Sequence, residues 1–258
     1  MIKFFRKIRQ SLLSEGKTGK YLKYAVGEII LVVIGILIAL SINNWNQERI
    51  KTKQTVDLLN NMISDLKADI TGLNRDIRRY EKSISNGKLI LNTENFDSFS
   101  ADSLYFLLPT KVVTYRVTTQ AFEKIKNLGI SKILDSNNLF NAISSYYTSN
   151  LFYLENVIKW EYDSNIKSFE FWALDNQFES AVFAGVEFIP YSDEEAVRKN
   201  ALIKLVSSIE SRNHIRQAIS KKNRIVKTLK STKTDAETLI SLIEDELNNN
   251  NKSTTSYN

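Results

Sequence analysis

Cysteine is absent from this chain, which excludes disulfides, thiolate nucleophiles and Cys-ligated metals. Histidine occurs once, as His214, so no imidazole pair is available for a zinc site or a relay. His214 lies in a polar stretch among Arg212, Asn213 and Arg216, the setting of a surface residue. Proline occurs twice and glycine eight times in 258 residues. So few helix breakers, among many Leu, Ile, Lys, Glu and Asn, predict a mainly α fold. A basic surface is also missing from most of the chain. The net charge of +6 is carried entirely by residues 1–23, which leaves 28 basic and 28 acidic residues after them. A neutral remainder gives no reason to expect nucleic acid as a partner.

Against these absences stands one long apolar run. Tyr24 to Ile42 holds nineteen residues with a single charge, Glu28. As a helix it is ~28 Å long, close to the hydrocarbon thickness of a bilayer. Lys3, Arg6, Lys7, Arg9, Lys17, Lys20 and Lys23 precede it and only Glu15 opposes them. That excess marks the N-terminal side as cytoplasmic, with the span in the inner membrane and the C-terminal part exported. Tyr21 and Tyr24 at one end and Trp45 at the other sit where interfacial aromatics anchor a span. A cleaved signal peptide is the rival reading, because Ala39-Leu40-Ser41 satisfies a small-x-small rule. The long basic region and long apolar run favour an uncleaved anchor. Residues 1–23 also set Ile2, Phe4, Phe5, Ile8, Leu12 and Leu13 among basic groups, the pattern of an amphipathic surface helix. Gly16-Lys17-Thr18-Gly19-Lys20 has Ser11 where a phosphate loop needs its first glycine, so no such loop is expected.

Beyond the span, residues 43–87 read as a first long helix. Val56, Leu59, Ile63, Leu66, Ile70, Leu73, Ile77, Tyr80 and Ile84 alternate steps of three and four. β-Branched residues at a with Leu at d suit a two-stranded coil or one helix of a bundle. Asp76 at g facing Glu81 at e is repulsive in a parallel dimer, so the seam points to packing within the chain. Asn86-Gly87 is the expected stop. Residues 88–191 form an aromatic-rich head. Within it Thr93 to Ser103 is a polar loop, Lys111 to Val117 has extended character, and Thr119 to Leu128 is a helix. Ser136 caps a further helix running to about Phe183. That helix carries Phe140, Tyr146, Tyr147, Phe152, Tyr153, Trp160, Tyr162, Phe169, Phe171 and Trp172. Most of these rings belong to a core. Tyr146, Tyr147, Trp160 and Trp172 are candidates for a partner surface.

Residues 192–247 form a long returning helix. It opens with a capping box at Ser192 and Glu195, and a second box at Thr234 and Glu237 suggests a break near 231–234. Residues 248–258, rich in Asn, Ser and Thr, read as a disordered tail. The fold expected is an N-terminal transmembrane helix, then an extracytoplasmic antiparallel helical bundle or coiled-coil stalk with an inserted helical head.

The stretch from Met1-Ile2-Lys3-Phe4-Phe5-Arg6-Lys7-Ile8-Arg9 through Gly27-Glu28 to Asn43-Asn44-Trp45-Asn46 resembles the start of an uncharacterised bacterial membrane-protein family of unknown function, common in the Bacteroidetes. A second, weaker likeness covers Thr118 to Tyr147, where Asn127-Leu128-Gly129 replaces the family's Ser-Gly turn and Tyr146-Tyr147 stand as expected. The resemblance implies a single-span envelope protein and brings no activity with it.

No catalytic, cofactor-binding or metal-binding constellation emerges. Asp193-Glu194-Glu195 reads as a helix start and Glu244-Asp245-Glu246 as a solvated helix end. Lys221, Lys222, Arg224, Lys227, Lys230 and Lys233 form a basic helix face, by default solvated. In the span, Gly27, Glu28, Gly35 and Ala39 suit close helix approach, and a buried carboxylate there calls for a partner or a route to water. The reading is a non-enzymatic, membrane-anchored envelope protein that meets lipid and a protein partner or a second copy of itself. A scaffold, assembly or accessory role fits it. The alternative is an extracytoplasmic sensor that binds a ligand in the helical head and signals through a separate partner.

Overall fold

The computed structural model describes residues 18–109, 117–128, 133, 134, 136–173, 187, 189, 192 and 194–255. The amphipathic reading of the N-terminal tail, the extended reading of 111–116 and the end of the aromatic helix beyond 173 lie outside these residues. Among the described residues the chain is mainly helical. The elements are α1 (Thr18–Asn92), α2 (Ala101–Phe106), α3 (Gln120–Asn127), α4 (Asn137–Ser145), a π turn (Tyr146–Asn150), α5 (Leu151–Ala173), α6 (Glu195–Ser207) and α7 (Ile209–Thr255). Two compact units divide the chain between Val56 and Asp57.

The first unit contains the apolar part of α1. This is the one helix among the described residues long and apolar enough to cross a membrane, with a mean hydropathy of 2.8 over eighteen residues. None of that window is buried by the protein itself. Ile29, Leu31, Ile34, Leu37 and Leu40 all stand exposed.

The second unit is built on three helices. Lys67 pairs with Glu244 at 3.4 Å, Glu81 with Lys230 at 2.7 Å, and Arg212 donates to the Leu91 carbonyl at 2.9 Å. Positions rise along α1 as they fall along α7, so the two run antiparallel. The α4–π–α5 segment lies along both, joined to α7 by Asn150–Asp235 at 3.0 Å and Glu161–Lys222 at 3.2 Å. Leu59, Leu66 and Leu73 of α1, Leu139, Ile143, Leu151 and Leu154 of α4 and α5, and Ile225, Leu229 and Ile243 of α7 fill the main core, with Phe122 and Ile125 of α3. A second core gathers Ile90, Phe96, Leu104, Leu108, Phe171, Trp172, Leu202, Val206 and Ile215.

Packing on two sides explains where the α1 seam departs from its heptad. The d positions Leu59, Leu66, Leu73 and Tyr80 are buried as expected. The g positions Met62, Asp69 and Asp76 are buried as well, while Ile63 and Ile70 at a are only half-buried. A helix that meets two neighbours needs a stripe wider than an a/d seam.

Four boundaries differ from those expected. Gly87 does not stop α1, which continues to Asn92. A Cβ at Gly87 would lie 3.1 Å from two Ile219 carbons and 3.3 Å from Ile215, so the missing side chain permits close approach to α7. The returning segment breaks at Ser208, whose hydroxyl accepts from the Ser211 amide at 3.1 Å, and not near 231–234. Thr234 instead donates to the Lys230 carbonyl within an unbroken helix. That helix extends to Thr255, through most of the expected disordered tail. Finally, Ser192 and Glu195 form no capping box. Ser192 accepts from the Glu194 amide at 3.2 Å, and the Glu195 carboxylate accepts from the Ala101 amide at 2.7 Å. Glu195 therefore serves the start of α2, where a negative charge is favoured. Ser136 behaves as expected and accepts from the Leu139 amide at 3.1 Å.

Candidate functional site

Where α5 faces α7, the core carries charge. Glu161 and Lys222 are each 2 % exposed, and their side chains meet at 3.2 Å. The Tyr80 hydroxyl donates to the other Glu161 oxygen. Lys222 Nζ also lies 5.3 Å from the centre of the Tyr80 ring. Three helices thus each place one polar group in a shared buried network. Burying a single ion costs several kcal/mol, and the pair is tolerated because each charge has its partner.

Directly outside this network a cleft of about 360 Å³ opens between α5 and α7. Trp160, Glu161, Ser164, Asn165, Lys167 and Ser168 line it from α5, and His214, Gln217, Ala218, Lys221 and Lys222 from α7. Lys221 and Arg224 lie over the Trp160 ring at 5.5 and 5.9 Å. Burial pushes the Lys221 ammonium below its ordinary pKa, Glu161 opposes this, and Lys167 and Lys222 add to it. The Asn165 amide nitrogen is buried with no hydrogen-bond partner among the described residues. His214 stacks on Phe171 at 3.9 Å and meets Trp172 edge-on at 6.4 Å, so it is a packed wall of the cleft and not the free surface residue expected.

The basic face of α7 resolves into separate roles. Lys222 is buried, Lys230 pairs with Glu81, and Lys233 pairs with Glu237 at 3.6 Å. Lys227 and Arg224 border a second cleft with Ser149, Asn150, Tyr153 and Asp235.

A second polar cluster centres on Asp69 of α1. Asp69 is 5 % exposed and accepts from the Thr118 amide and hydroxyl at 3.1–3.3 Å. Its pKa is pushed up to about 6, mainly by burial; the two Thr118 bonds act against this, and the nearby Asp65 charge adds to it. The π turn brings Tyr146 and Tyr147 inward beside it, with the Tyr147 ring stacked on Phe122 at 4.6 Å. Burial holds both phenols well above the ordinary tyrosine range. Neither hydroxyl has a hydrogen-bond partner among the described residues.

Of the four aromatics taken as a candidate partner surface, only Trp160 is exposed, at 42 %. Tyr146, Tyr147 and Trp172 are core, because adjacent helices cover the α4–α5 segment on more than one side. In the first unit, Gly27 and Gly35 have open space where a Cβ would lie, Ala39 is exposed and Glu28 is half-buried. Tyr24 and Trp45 are exposed, and Arg49 lies 5.7 Å from the Trp45 ring; the side chain of Tyr21 lies outside the described set. No group of three or more His, Asp or Glu suited to a metal occurs among the described residues. The missed features share a cause. Burial of Glu161, Lys222 and Asp69 depends on which helices flank each position, and spacing within one helix does not encode that.

A model for a family of unknown function, DUF6090, matches residues 28–153. The matched stretch is just under half of the chain. It contains Asp69, Tyr80, Tyr146 and Tyr147 and ends before the residues that line the α5–α7 cleft. No curated protein and no solved structure matches the chain.

Proposed function

We propose that this chain is a single-span protein of the inner membrane, anchored through Tyr24 to Ile42, whose exported helical unit acts without catalysis through protein–protein contacts. The observation that carries this reading is the uncovered apolar segment of α1. None of its most hydrophobic window is buried by the protein. Each large apolar side chain left in water forgoes ~1.5–3 kcal/mol, so a run of this length needs cover from outside. Lipid supplies that cover at the length observed. The basic flank before the span supports an N-terminus inside.

The outward-facing Gly27, Gly35 and Ala39 give the span a side on which another helix can approach closely. That surface supports the reading of a scaffold, assembly or accessory role. The alternative, an extracytoplasmic sensor, is favoured by one observation, the polar cleft between α5 and α7.

Topology is tested with a C-terminal reporter that fluoresces only in the cytoplasm. It should stay dark while the full-length chain fractionates with membrane. Cytoplasmic fluorescence, or a mature N-terminus at Ile42, refutes the anchor. Recognition by the span is tested by co-purification at matched membrane levels. Gly35→Leu should insert and lose its partner, whereas Glu28→Gln, which lowers the desolvation cost, should insert at least as well as the parent chain. Unchanged partners in both variants would reduce the span to a tether.

A further inference from the structure

We propose that the cleft between α5 and α7 is a binding site for a small oxyanion, the phosphate or carboxylate group of a small molecule, held chiefly by Lys167 and Lys221. This goes beyond the contact function proposed above and does not depend on it.

The charge balance of the cleft is the first argument. Three lysines line it, Lys167, Lys221 and Lys222, against one carboxylate, Glu161. That carboxylate is already engaged by Lys222 and by the Tyr80 hydroxyl. Lys167 and Lys221 have no salt-bridge partner among the described residues. They stand on facing helices at the mouth of one concavity. Two cations held near each other without an ion pair repel, and an anion between them removes that repulsion. Burial is the main cause of the depressed Lys221 pKa; Glu161 acts against it, and Lys167 and Lys222 add smaller repulsions.

Hydrogen-bond capacity is the second argument. The buried Asn165 amide nitrogen has donors to offer and no acceptor among the described residues. A buried donor left unmade is costly, and a ligand oxygen would recover the bond. Gln217 and Ser168 add donors from the two walls. Ser164 is less free, since its hydroxyl donates to the Trp160 carbonyl at 2.8 Å. Lys167 and Lys221 thus offer positive charge, and Asn165, Gln217 and Ser168 can turn N–H or O–H donors toward the same space. Such a set suits an acceptor-only group.

Size and rigidity are the third argument. At about 360 Å³ the cleft lies at the lower end of the range for small-molecule sites. Its floor is the Glu161–Lys222–Tyr80 network and one wall is the His214–Phe171 stack. A floor fixed by buried polar bonds holds the lysines' helices in register before a ligand arrives. The Trp160 ring, flanked by Lys221, provides an apolar edge for the rest of the molecule.

The experiment uses the full chain in nanodiscs of zwitterionic lipid at constant ionic strength. Inorganic phosphate and acetate are titrated separately by calorimetry, and Trp fluorescence is followed in parallel. Saturable binding of either ion is expected. Lys221→Met and Lys167→Met keep most of the apolar stem, and each should weaken binding roughly tenfold or more. Asn165→Leu should weaken it too. Lys227→Met, in the neighbouring cleft, should leave it unchanged. A lipid source is tested in discs containing phosphatidic acid. Displacement of phosphate bound to the parent chain there, with discs of another anionic lipid lacking a phosphomonoester leaving it bound, assigns the oxyanion to a headgroup. Circular dichroism melts establish that each variant is folded, and any unfolded one is replaced by Lys→Gln at the same position. No saturation by phosphate, acetate or phosphatidic acid overturns the proposal. So does binding that survives both lysine substitutions, or that is lost with Lys227→Met instead.

Discussion

Replacing Asp69 by Asn should make the helical unit more stable at neutral pH and remove part of its pH dependence. Asp69 is nearly buried, and its carboxyl titrates at about 6 in the fold against an ordinary value of 3.8. The folded state therefore holds the proton more tightly than the unfolded chain does. Below pH ~4 both states are protonated and the favourable contribution is complete. As pH rises from ~4 to ~6 the unfolded chain releases its proton first, and stability falls until the folded state has released its own. A shift of roughly two units corresponds to ~3 kcal/mol at the upper limit, and to ~1–3 kcal/mol once relaxation around the site is allowed for. Asn keeps an oxygen to accept from the Thr118 amide and hydroxyl and carries no charge to bury. Its NH₂ group also offers a donor near the unpartnered Tyr146 and Tyr147 hydroxyls. Asp65 on the same helix, Asp235 on α7 and every other titratable group are present in both proteins, so the difference between variant and parent isolates position 69. The assay is thermal or denaturant unfolding of the full chain in detergent, followed by circular dichroism at several pH values from 4 to 8. The stability difference should be near zero or negative at pH 4, grow in favour of Asn through pH 6, and level off above 7. A flat difference, or an Asn variant less stable than the parent at pH 7.5, would show that Asp69 is held as a carboxylate by its partners and that burial is not the dominant influence.

Three further outcomes follow from the same contacts. Lys222→Met and Glu161→Gln each remove one side of a buried ion pair and should cost about 3–5 kcal/mol, whereas the double variant should cost clearly less than their sum; additive losses in urea unfolding would mean the two groups are not coupled in the core. Gly87→Ala gains up to ~1 kcal/mol of helix propensity but overpacks Ile219 and Ile215 by ~1–3 kcal/mol, so a net loss is expected and a larger one for Gly87→Val. A rise in melting temperature with Ala would show that α7 yields at that crossing. Cysteines at Lys67 with Glu244, and at Glu81 with Lys230, should be joined within one chain by a short bis-maleimide; products of dimer size alone would indicate pairing between copies.

Local pattern carried much of the helix content because it depends on short-range physics. Scarce proline and glycine, a hydroxyl cap at Ser136 and a three-four spacing from Val56 to Ile84 are properties of neighbours in sequence. The length and hydropathy of the segment from Tyr24 are likewise legible without a fold. The exceptions have tertiary causes. Gly87 reads as a terminator by its conformational freedom, yet it lies within α1 where the side chains of α7 come too close for a Cβ. Ser192 and Glu195 have the spacing of a capping box, yet the carboxylate is taken by the amide of Ala101, ninety-four positions away. Nothing in the spacing around Asp69 singles it out, yet burial by the neighbouring helices turns it into a group with a raised pKa.

The cleft shows the same division. Lys221 and Lys222 are adjacent in sequence and identical in type. Only the packing of α5 and α1 against α7 sends Lys222 into the core toward Glu161 and Tyr80 and leaves Lys221 at the rim on Trp160. By itself the sequence determined that the chain is helical and that one segment is apolar enough to span a bilayer, since both follow from the residues' own propensities and transfer energies. Which charges are buried, which are paired and where a cavity remains was decided by the tertiary structure, because each depends on distances between residues that lie dozens of positions apart.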